Sequence, residues 1–192
     1  MPQMTKARLE FFSDGVMAIL ITIMVLELRA PAEPTLSALL HTAPEFLTYA
    51  ISFLVIAIIW VNHYPLIHAA RAQTARLVWS NFYLLFWMSF VPFVTEFTGR
   101  DYREPLAVAL YGLDLFLCTS GFYFLRMELI RQSRDDMTLV KYHNGIQRRS
   151  AFAAALYLLS VPLAYLTIYA SFAIFVLLPA LYFLPEKTVA GE

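Results

Sequence analysis

Apolar residues along the chain are gathered into long blocks, and short polar segments separate the blocks. The first block runs from Phe11 to Leu28 and is interrupted by Ser13 and Asp14 near its start and by Glu27 near its end. A helix needs about 20 apolar residues to cross a bilayer, and blocks of this length recur. The pattern predicts an all-α integral membrane protein with six transmembrane helices, at about residues 11–28, 46–64, 77–98, 106–125, 150–166 and 171–184.

The last two predicted helices come from one uncharged block, residues 151–184. At a rise of about 1.5 Å per residue, a single helix of that length would be roughly 50 Å long, whereas the hydrocarbon core is roughly 30 Å thick. Two shorter helices with a turn near residues 167–170 therefore fit this block better than one. A single helix, and hence five spans, is the alternative.

The composition also favours a membrane protein. Hydrophobic residues make up 60% of the 192-residue chain, charged residues make up 15%, and the mean hydropathy is +0.63. Soluble domains are roughly half apolar and a quarter charged. The net charge is zero, so no nucleic-acid partner is expected, and the single cysteine, Cys118, excludes an intrachain disulfide. The first block is longer than the apolar core of a signal peptide, so we expect it to be retained.

The distribution of basic residues predicts the orientation. With the N-terminus placed in the cytoplasm, 11 Lys and Arg residues fall in inside segments and 3 fall in outside segments. The positive-inside rule then predicts that both termini are cytoplasmic. The protein is expected to be a multi-pass protein of the cell membrane, plasma or inner. Residues 1–192 are interpreted as one six-helix subunit whose largest cytoplasmic loop is 126–149. The first half of this loop is expected to continue the fourth helix, and Asn144–Gly145 is a turn signal.

One face of the first predicted helix is a stripe of branched aliphatic residues. At about 100° per residue, Ile23 and Leu26 lie within about 40° of Ile19, whereas Ser13 and Asp14 lie more than about 100° away. Such a stripe usually contacts lipid or another helix. The polar pair points elsewhere, so the two faces are expected to have different roles.

Asp14 needs partners, because an ionisable group inside a span is costly. Trp60 and His63 lie three residues apart on one face of the second span, and Asn81 lies at the start of the third. All three side chains can donate hydrogen bonds, and they would fix the first helix against the next two. The alternative is that Asp14 only caps its helix or interacts with the helix dipole. Asp114, in the middle of the fourth span, is expected to face protein rather than lipid.

The motif R-x-x-x-F-S-D, residues 8–14, opens the first span. Together with His63 at the end of the second span, Asn81 at the start of the third and Pro92 near its end, it resembles the transmembrane protein 175 family of potassium channels. Animal members are found in endosomes and lysosomes and carry two six-span units. A single unit looks like the shorter, prokaryotic form.

This resemblance implies a homotetramer in which the first helix of each subunit lines a central pore, without a carbonyl selectivity filter. It implies a pore constriction at Ile19, with further hydrophobic rings at Ile23 and Leu26, and ion contact at Thr22. The expected function is a potassium-permeable channel in which these rings act as both gate and selectivity element, with other monovalent cations passing less well. No cofactor is implied, and no metal beyond the permeating potassium. A ring of Glu27 at the outer mouth would concentrate cations; the alternative is that Glu27 pairs with Arg29 and has little effect.

The residues expected to anchor the pore helix and set its tilt, and so the radius of the neck, are Arg8, Phe12, Ser13, Asp14, Trp60, His63 and Asn81. The alternative function is a proton channel or a proton-coupled transporter that uses Asp14 and His63 as a relay. An enzyme is not expected, because the sequence contains neither paired catalytic carboxylates nor an H-E-x-x-H motif.

Overall fold

Every regular element in the described part of the chain is an α-helix. The computed structural model describes residues 5–133 and 135–181, and the all-α prediction is confirmed there. The eight helices of these two ranges are α1 (Lys6–Leu26), α2 (Leu36–His41), α3 (Ala43–His68), α4 (Ala75–Met88), α5 (Val91–Arg100), α6 (Pro105–Gln132), α7 (Met137–Leu166) and α8 (Ile168–Leu181).

Five helical segments in the described residues are long and apolar enough to cross a membrane. They are α1, α3, the combined α4–α5 segment, α6 and residues 143–166 of α7, so the protein is a multi-pass membrane protein. The third span is broken into α4 and α5 at Ser89 and Phe90, one feature that the hydrophobic pattern does not show. Pro92 lies in the first turn of α5 and is the cause, because proline lacks an N–H group and clashes with the preceding turn.

The last apolar block forms two helices, as predicted. α7 ends at Leu166 and α8 begins at Ile168. The chain reverses between them, as shown by the hydrogen bond that the Ser171 hydroxyl donates to the Ser160 carbonyl oxygen over 2.7 Å. The rings of Tyr157 and Phe175 lie 6.5 Å apart in the same hairpin. α8 has 14 residues, fewer than a full crossing needs, and the predicted end of the sixth span at residue 184 lies outside the described residues.

Most of the segment 126–149, predicted as a cytoplasmic loop, is helical. Residues 126–132 continue α6, as expected for its first half, but residues 137–149 form the first turns of α7, which begins at Met137. Gly145 was read as part of a turn, yet it has no positive φ and lies inside α7. A single exposed glycine lowers helix stability by only about 1 kcal/mol, which packing of α7 against α6 readily overcomes.

α6 forms the centre of the subunit, because it packs against α4, α5, α7 and α8. Its buried residues include Tyr111, Leu115, Cys118 and Leu125. Asp114 is also buried, which confirms that it faces protein, and its carboxylate oxygens accept no hydrogen bond from the described residues. α1 lies on the other side of the subunit, against α3, α4 and α5.

The crossing of α4 and α6 depends on Gly121. A Cβ atom at this position would lie 2.9 Å from Leu84 Cα, closer than real Cβ contacts come. We expect Gly121→Ala to lower the free energy of unfolding by about 1–3 kcal/mol, because the two backbones must separate. Gly145→Ala is the matched control: nothing lies within 4 Å of its position, and alanine should stabilise the exposed helix by about 0.5–1 kcal/mol. Thermal unfolding in detergent measures both, and equal midpoints for the two variants would refute the close-crossing argument.

Candidate functional site

The aliphatic stripe of α1 (Ile19, Ile23 and Leu26) points away from its own subunit. These side chains are 58%, 40% and 77% exposed, while Leu9, Ser13, Met17, Leu20 and Met24 on the opposite side of the helix are buried. Thr22 is also exposed, and its hydroxyl donates to the Ile19 carbonyl oxygen over 2.8 Å. The stripe is therefore available to whatever surrounds the single subunit.

A chain of hydrogen bonds holds the buried side of α1 to α3 and α4. His63 Nε2 lies 2.6 Å from Asn81 Oδ1, and Asn81 Nδ2 donates to Ser13 Oγ over 2.9 Å. Because an amide oxygen only accepts, His63 donates from Nε2. The Ser13 hydroxyl donates a hydrogen bond to the Leu9 carbonyl oxygen over 2.8 Å. Ser13, His63 and Asn81 are at most 1% exposed, so this chain is complete and shielded from solvent.

Asp14 makes a separate contact next to this chain. Its Oδ1 accepts a hydrogen bond from Trp60 Nε1 over 3.0 Å, at a more exposed position. The structure thus divides the three predicted donors between two adjacent residues: Trp60 reaches Asp14, while Asn81, supported by His63, reaches Ser13. We call Ser13, Asp14, Trp60, His63 and Asn81 the polar anchor.

Phe12 and Arg8 stand outside the polar anchor. The Phe12 ring meets the Phe82 ring edge-on at 5.8 Å, so Phe12 contributes packing to α4. Arg8 is exposed, and within residues 5–133 and 135–181 its side chain makes no hydrogen bond or ion pair. Six residues turn a helix by about 600°, which leaves Arg8 and Asp14 about 120° apart, so the place of Arg8 in the network stays a prediction. Arg8 therefore shares the face of the aliphatic stripe.

Two further polar contacts secure the packing around α1, and sequence reasoning missed both. Lys6 Nζ donates to the His68 carbonyl oxygen over 2.6 Å, and His68 Nδ1 lies 3.8 Å from Glu10 Oε1. These contacts join the N-terminal end of α1 to the last turn of α3. They involve an ordinary surface charge pattern that carries no distinctive signal in the sequence.

Sequence reasoning also missed a buried cluster of three hydroxyl groups where α3, α5 and α6 meet. Thr95 Oγ1 lies 2.7 Å from Ser52 Oγ, and Ser52 Oγ lies 2.8 Å from the Tyr111 hydroxyl. All three are buried. Ser52 was detectable as a polar residue inside an apolar span, but its partners come from distant helices.

Comparisons with known proteins decide the family. The family model described as endosomal/lysosomal potassium channel TMEM175 matches residues 8–92. A protein of Chryseobacterium sp. (strain P1-3) that is named a potassium channel is 32% identical over 186 residues, which is 97% of this chain and 96% of that protein. The chain belongs to the TMEM175 family. The family that the sequence analysis expected is thereby confirmed.

TMEM175 relatives also share the fold. A crystal structure of a lysosomal potassium-selective channel TMEM175 homolog from Chamaesiphon minutus matches with a TM-score of 0.74 and 26% identity, covering 92% of this chain and 95% of that one. Human TMEM175, named an endosomal/lysosomal proton channel, is 29% identical over 114 residues, which is 53% of this chain and 23% of the human protein. The region matched by the family model contains the whole aliphatic stripe and the whole polar anchor.

The outer end of α1 carries the last candidate residue. Glu27 is the C-cap of α1 and is exposed. With Arg29, Glu45, Glu96 and Arg100 it lines a cavity of about 290 Å³ between the end of α1 and helices α3 and α5. Arg100 is engaged with Glu96 at 3.0 Å. Among the described residues, no group of three or more His, Cys, Asp and Glu side chains is arranged to hold a metal ion.

Proposed function

We propose that this TMEM175-family chain assembles as a homotetramer that conducts potassium through a central pore lined by α1. The observation that carries the proposal is the pairing of an exposed aliphatic stripe with a buried polar anchor on opposite sides of one helix. Relatives that match nearly the whole chain are named potassium channels. One helix cannot enclose a pore, so conduction requires several copies around an axis, and each pore residue then becomes a ring.

The exposed arc of α1 is wide enough for both surfaces that a ring of helices needs. The aliphatic stripe would face the axis. A second exposed face of α1 lies about 100° around the helix from the aliphatic stripe and consists of Phe11, Ala18 and Val25. This face would meet the neighbouring subunit. A helix that only contacted lipid would need neither the buried polar anchor nor the cationic Arg8 on the same face as the stripe.

Rings of Ile19, Ile23 and Leu26 would stack over about 10 Å of the pore. Narrow apolar rings exclude water and so block ions, and a small dilation allows water and ions to pass. Potassium sheds its hydration water more readily than sodium, so such a neck favours potassium. Other monovalent cations pass less well. The Thr22 hydroxyl donates a hydrogen bond to the Ile19 carbonyl oxygen. The lone pairs of the Thr22 hydroxyl oxygen therefore stay available to the ion.

The rest of the predicted site supports the pore helix. The polar anchor sets the tilt of α1 and thereby the radius of the neck. Both termini are cytoplasmic and the protein lies in a plasma or inner membrane, so Arg8 faces the inner vestibule and Glu27 forms a ring at the outer mouth. The structure favours this arrangement over a proton relay, because Asp14 and His63 are hydrogen-bonded to different partners.

The decisive experiment is a recording from purified protein in liposomes or planar bilayers under opposed potassium and sodium gradients. The proposal expects a reversal potential that follows the potassium gradient. A reversal potential that followed the pH gradient would instead identify a proton channel. Absence of any current from a tetramer-sized preparation would reject the channel function.

The anchoring role of Asp14 has its own test. Asp14→Ala removes the acceptor of the Trp60 bond and is expected to reduce the stability of the α1–α3 contact by about 1–2 kcal/mol, since the site is partly exposed. The tetramer fraction on a sizing column should fall. Trp60→Phe removes the same bond from the other side and should act in the same direction. An undiminished tetramer with normal currents in both variants would dismiss the anchoring role.

A further inference from the structure

An open groove of about 480 Å³ lies between α4 and α6, away from the aliphatic stripe and the polar anchor. Its α4 side is formed by Arg76, Trp79 and Tyr83. Its α6 side is formed by Phe124, Met127 and Arg131. None of these residues has a role in the proposed pore.

The groove is amphipathic along its length. α4 begins at Ala75, so Arg76 lies in its first turn and Tyr83 about 10 Å further along. α6 runs the opposite way and ends at Gln132, so Arg131 lies beside the same end and Phe124 lies about 10 Å further in. Both walls therefore change from guanidinium to aromatic ring in the same direction, from the membrane surface toward the hydrocarbon.

The charged end of the groove has an uncompensated positive charge. Arg76 is exposed, and in the described part of the chain its side chain makes no ion pair or hydrogen bond. Arg131 Nη1 lies 3.7 Å from Glu128 Oε2, and the Arg131 side chain is 45% exposed. Glu128 is buried and also accepts from Thr74 Oγ1 over 2.9 Å, so it is engaged in joining α6 to the start of α4. Two arginines against one carboxylate leave a net positive charge at the mouth.

The inner part of the groove is a rigid apolar floor. The Tyr83 and Phe124 rings meet edge-on at 5.4 Å, and the Tyr83 hydroxyl is hydrogen-bonded to Ser120 Oγ at 3.0 Å, which fixes the ring. Trp79 is 72% exposed at the level between floor and mouth. Tryptophan is enriched at this depth of a membrane, where one part of the ring meets hydrocarbon and the other meets headgroups.

We propose that this groove binds one anionic phospholipid, with its phosphate between Arg76 and Arg131 and an acyl chain over Tyr83 and Phe124. Guanidinium groups bind phosphate through charge-assisted hydrogen bonds, and basic pockets between transmembrane helices bind anionic headgroups. A lipid matches the groove because it carries the complementary charge and the complementary order of polar and apolar parts. With the proposed orientation, the lipid comes from the cytoplasmic leaflet. The lipid site does not require that the protein conduct potassium.

The test is a thermal-shift titration of the purified protein in neutral detergent with dioctanoyl phosphatidylglycerol, dioctanoyl phosphatidylcholine and inorganic phosphate as separate probes. Phosphatidylglycerol should raise the unfolding midpoint in a saturable manner. Phosphatidylcholine and phosphate should have at most a small effect at the same concentrations. Arg76→Gln and Arg131→Gln should each weaken phosphatidylglycerol binding about tenfold, whereas Arg76→Lys should retain most of it.

Arg103→Gln is the matched control, because Arg103 is exposed in the segment between α5 and α6 and stacks on Tyr102 outside the groove. It should bind phosphatidylglycerol as the unchanged protein does. Equal shifts with both lipids, or unchanged binding in both glutamine variants, would overturn the proposal. A shift with phosphate alone would mean a simple anion site, and a change of oligomer mass in the glutamine variants would mean that a neighbouring subunit occupies the groove. Either of these results would also overturn it.

Discussion

Replacing Ile19 by asparagine is expected to raise the resting potassium flux at least about tenfold and to bring the potassium-to-sodium permeability ratio close to one. Ile19 is 58% exposed on α1, and in the proposed tetramer its four copies form an apolar ring. A ring of amides would hold water in the neck and offer oxygens to sodium as well as to potassium. A tenfold gain in flux corresponds to a barrier lower by about 1.4 kcal/mol, a modest demand on four side chains.

Two further variants make the Ile19 experiment specific. Ile19→Val keeps a branched hydrocarbon and should retain most of the selectivity. Val61→Asn places the same amide on α3, at a side chain that is 50% exposed, and should leave the permeability ratio unchanged. The measurement is the reversal potential under a potassium-to-sodium gradient, on protein that elutes as a tetramer. Unaltered selectivity in Ile19→Asn would show that the constriction lies elsewhere.

Asn81→Ala is expected to lower the free energy of unfolding by about 2–4 kcal/mol, more than Gly121→Ala or Asp14→Ala. Asn81 is fully buried and is the one residue that connects His63 with Ser13. Its removal leaves the His63 Nε2–H group and the Ser13 oxygen without their partners, and an unsatisfied buried polar group costs about 1–3 kcal/mol. Release of α1 from α4 should also lower the tetramer fraction and the current.

Asn62→Ala is the control for the loss of an asparagine in the same part of the fold. Asn62 is half-buried in α3, and its amide donates only to the Ile58 carbonyl oxygen of its own helix over 2.7 Å. Its replacement should cost less than about 1 kcal/mol. The midpoint of thermal unfolding and the sizing-column profile measure both variants. If the two asparagines had equal effects, the hydrogen-bonded chain through Asn81 would not be what holds α1 in place.

The hydrophobic pattern predicted most of the fold, because membrane spans are specified by composition over about 20 residues. It also predicted the reversal near Thr167, since the last apolar block is longer than one crossing needs. It failed at Gly145, because the first turns of α7 are maintained by packing on α6 rather than by local apolar periodicity. The break at Ser89 and Phe90 depends on Pro92, two residues after Phe90, where the hydropathy does not change.

The candidate site divides in the same way. The donors around Ser13 and Asp14 were predictable, because polar residues within spans are few and must satisfy one another. Which donor meets which acceptor was not, since that depends on the rotation of α3 and α4 about their own axes. The place of Arg8 in the anchoring network stays a prediction, because Arg8 lies on a different face of α1 from Asp14. Thr95 and Tyr111 needed the packing of α5 and α6, which no short stretch of sequence specifies.

The polar anchor acts near one end of α1 only. From Met17 onward the helix is held by Met17, Leu20 and Met24, and Met24 Sδ lies a distant 4.0 Å from the Thr95 hydroxyl. Thioether and leucine contacts are non-directional, so they slide at little cost, whereas the hydrogen bonds of Ser13 and Asp14 do not. A helix that is held by hydrogen bonds near one end and by apolar contacts along the rest is expected to tilt about the hydrogen-bonded end. In the proposed tetramer, a given tilt of α1 about Ser13 would displace Leu26 roughly twice as far as Ile19, so we expect the ring of Leu26 to widen first.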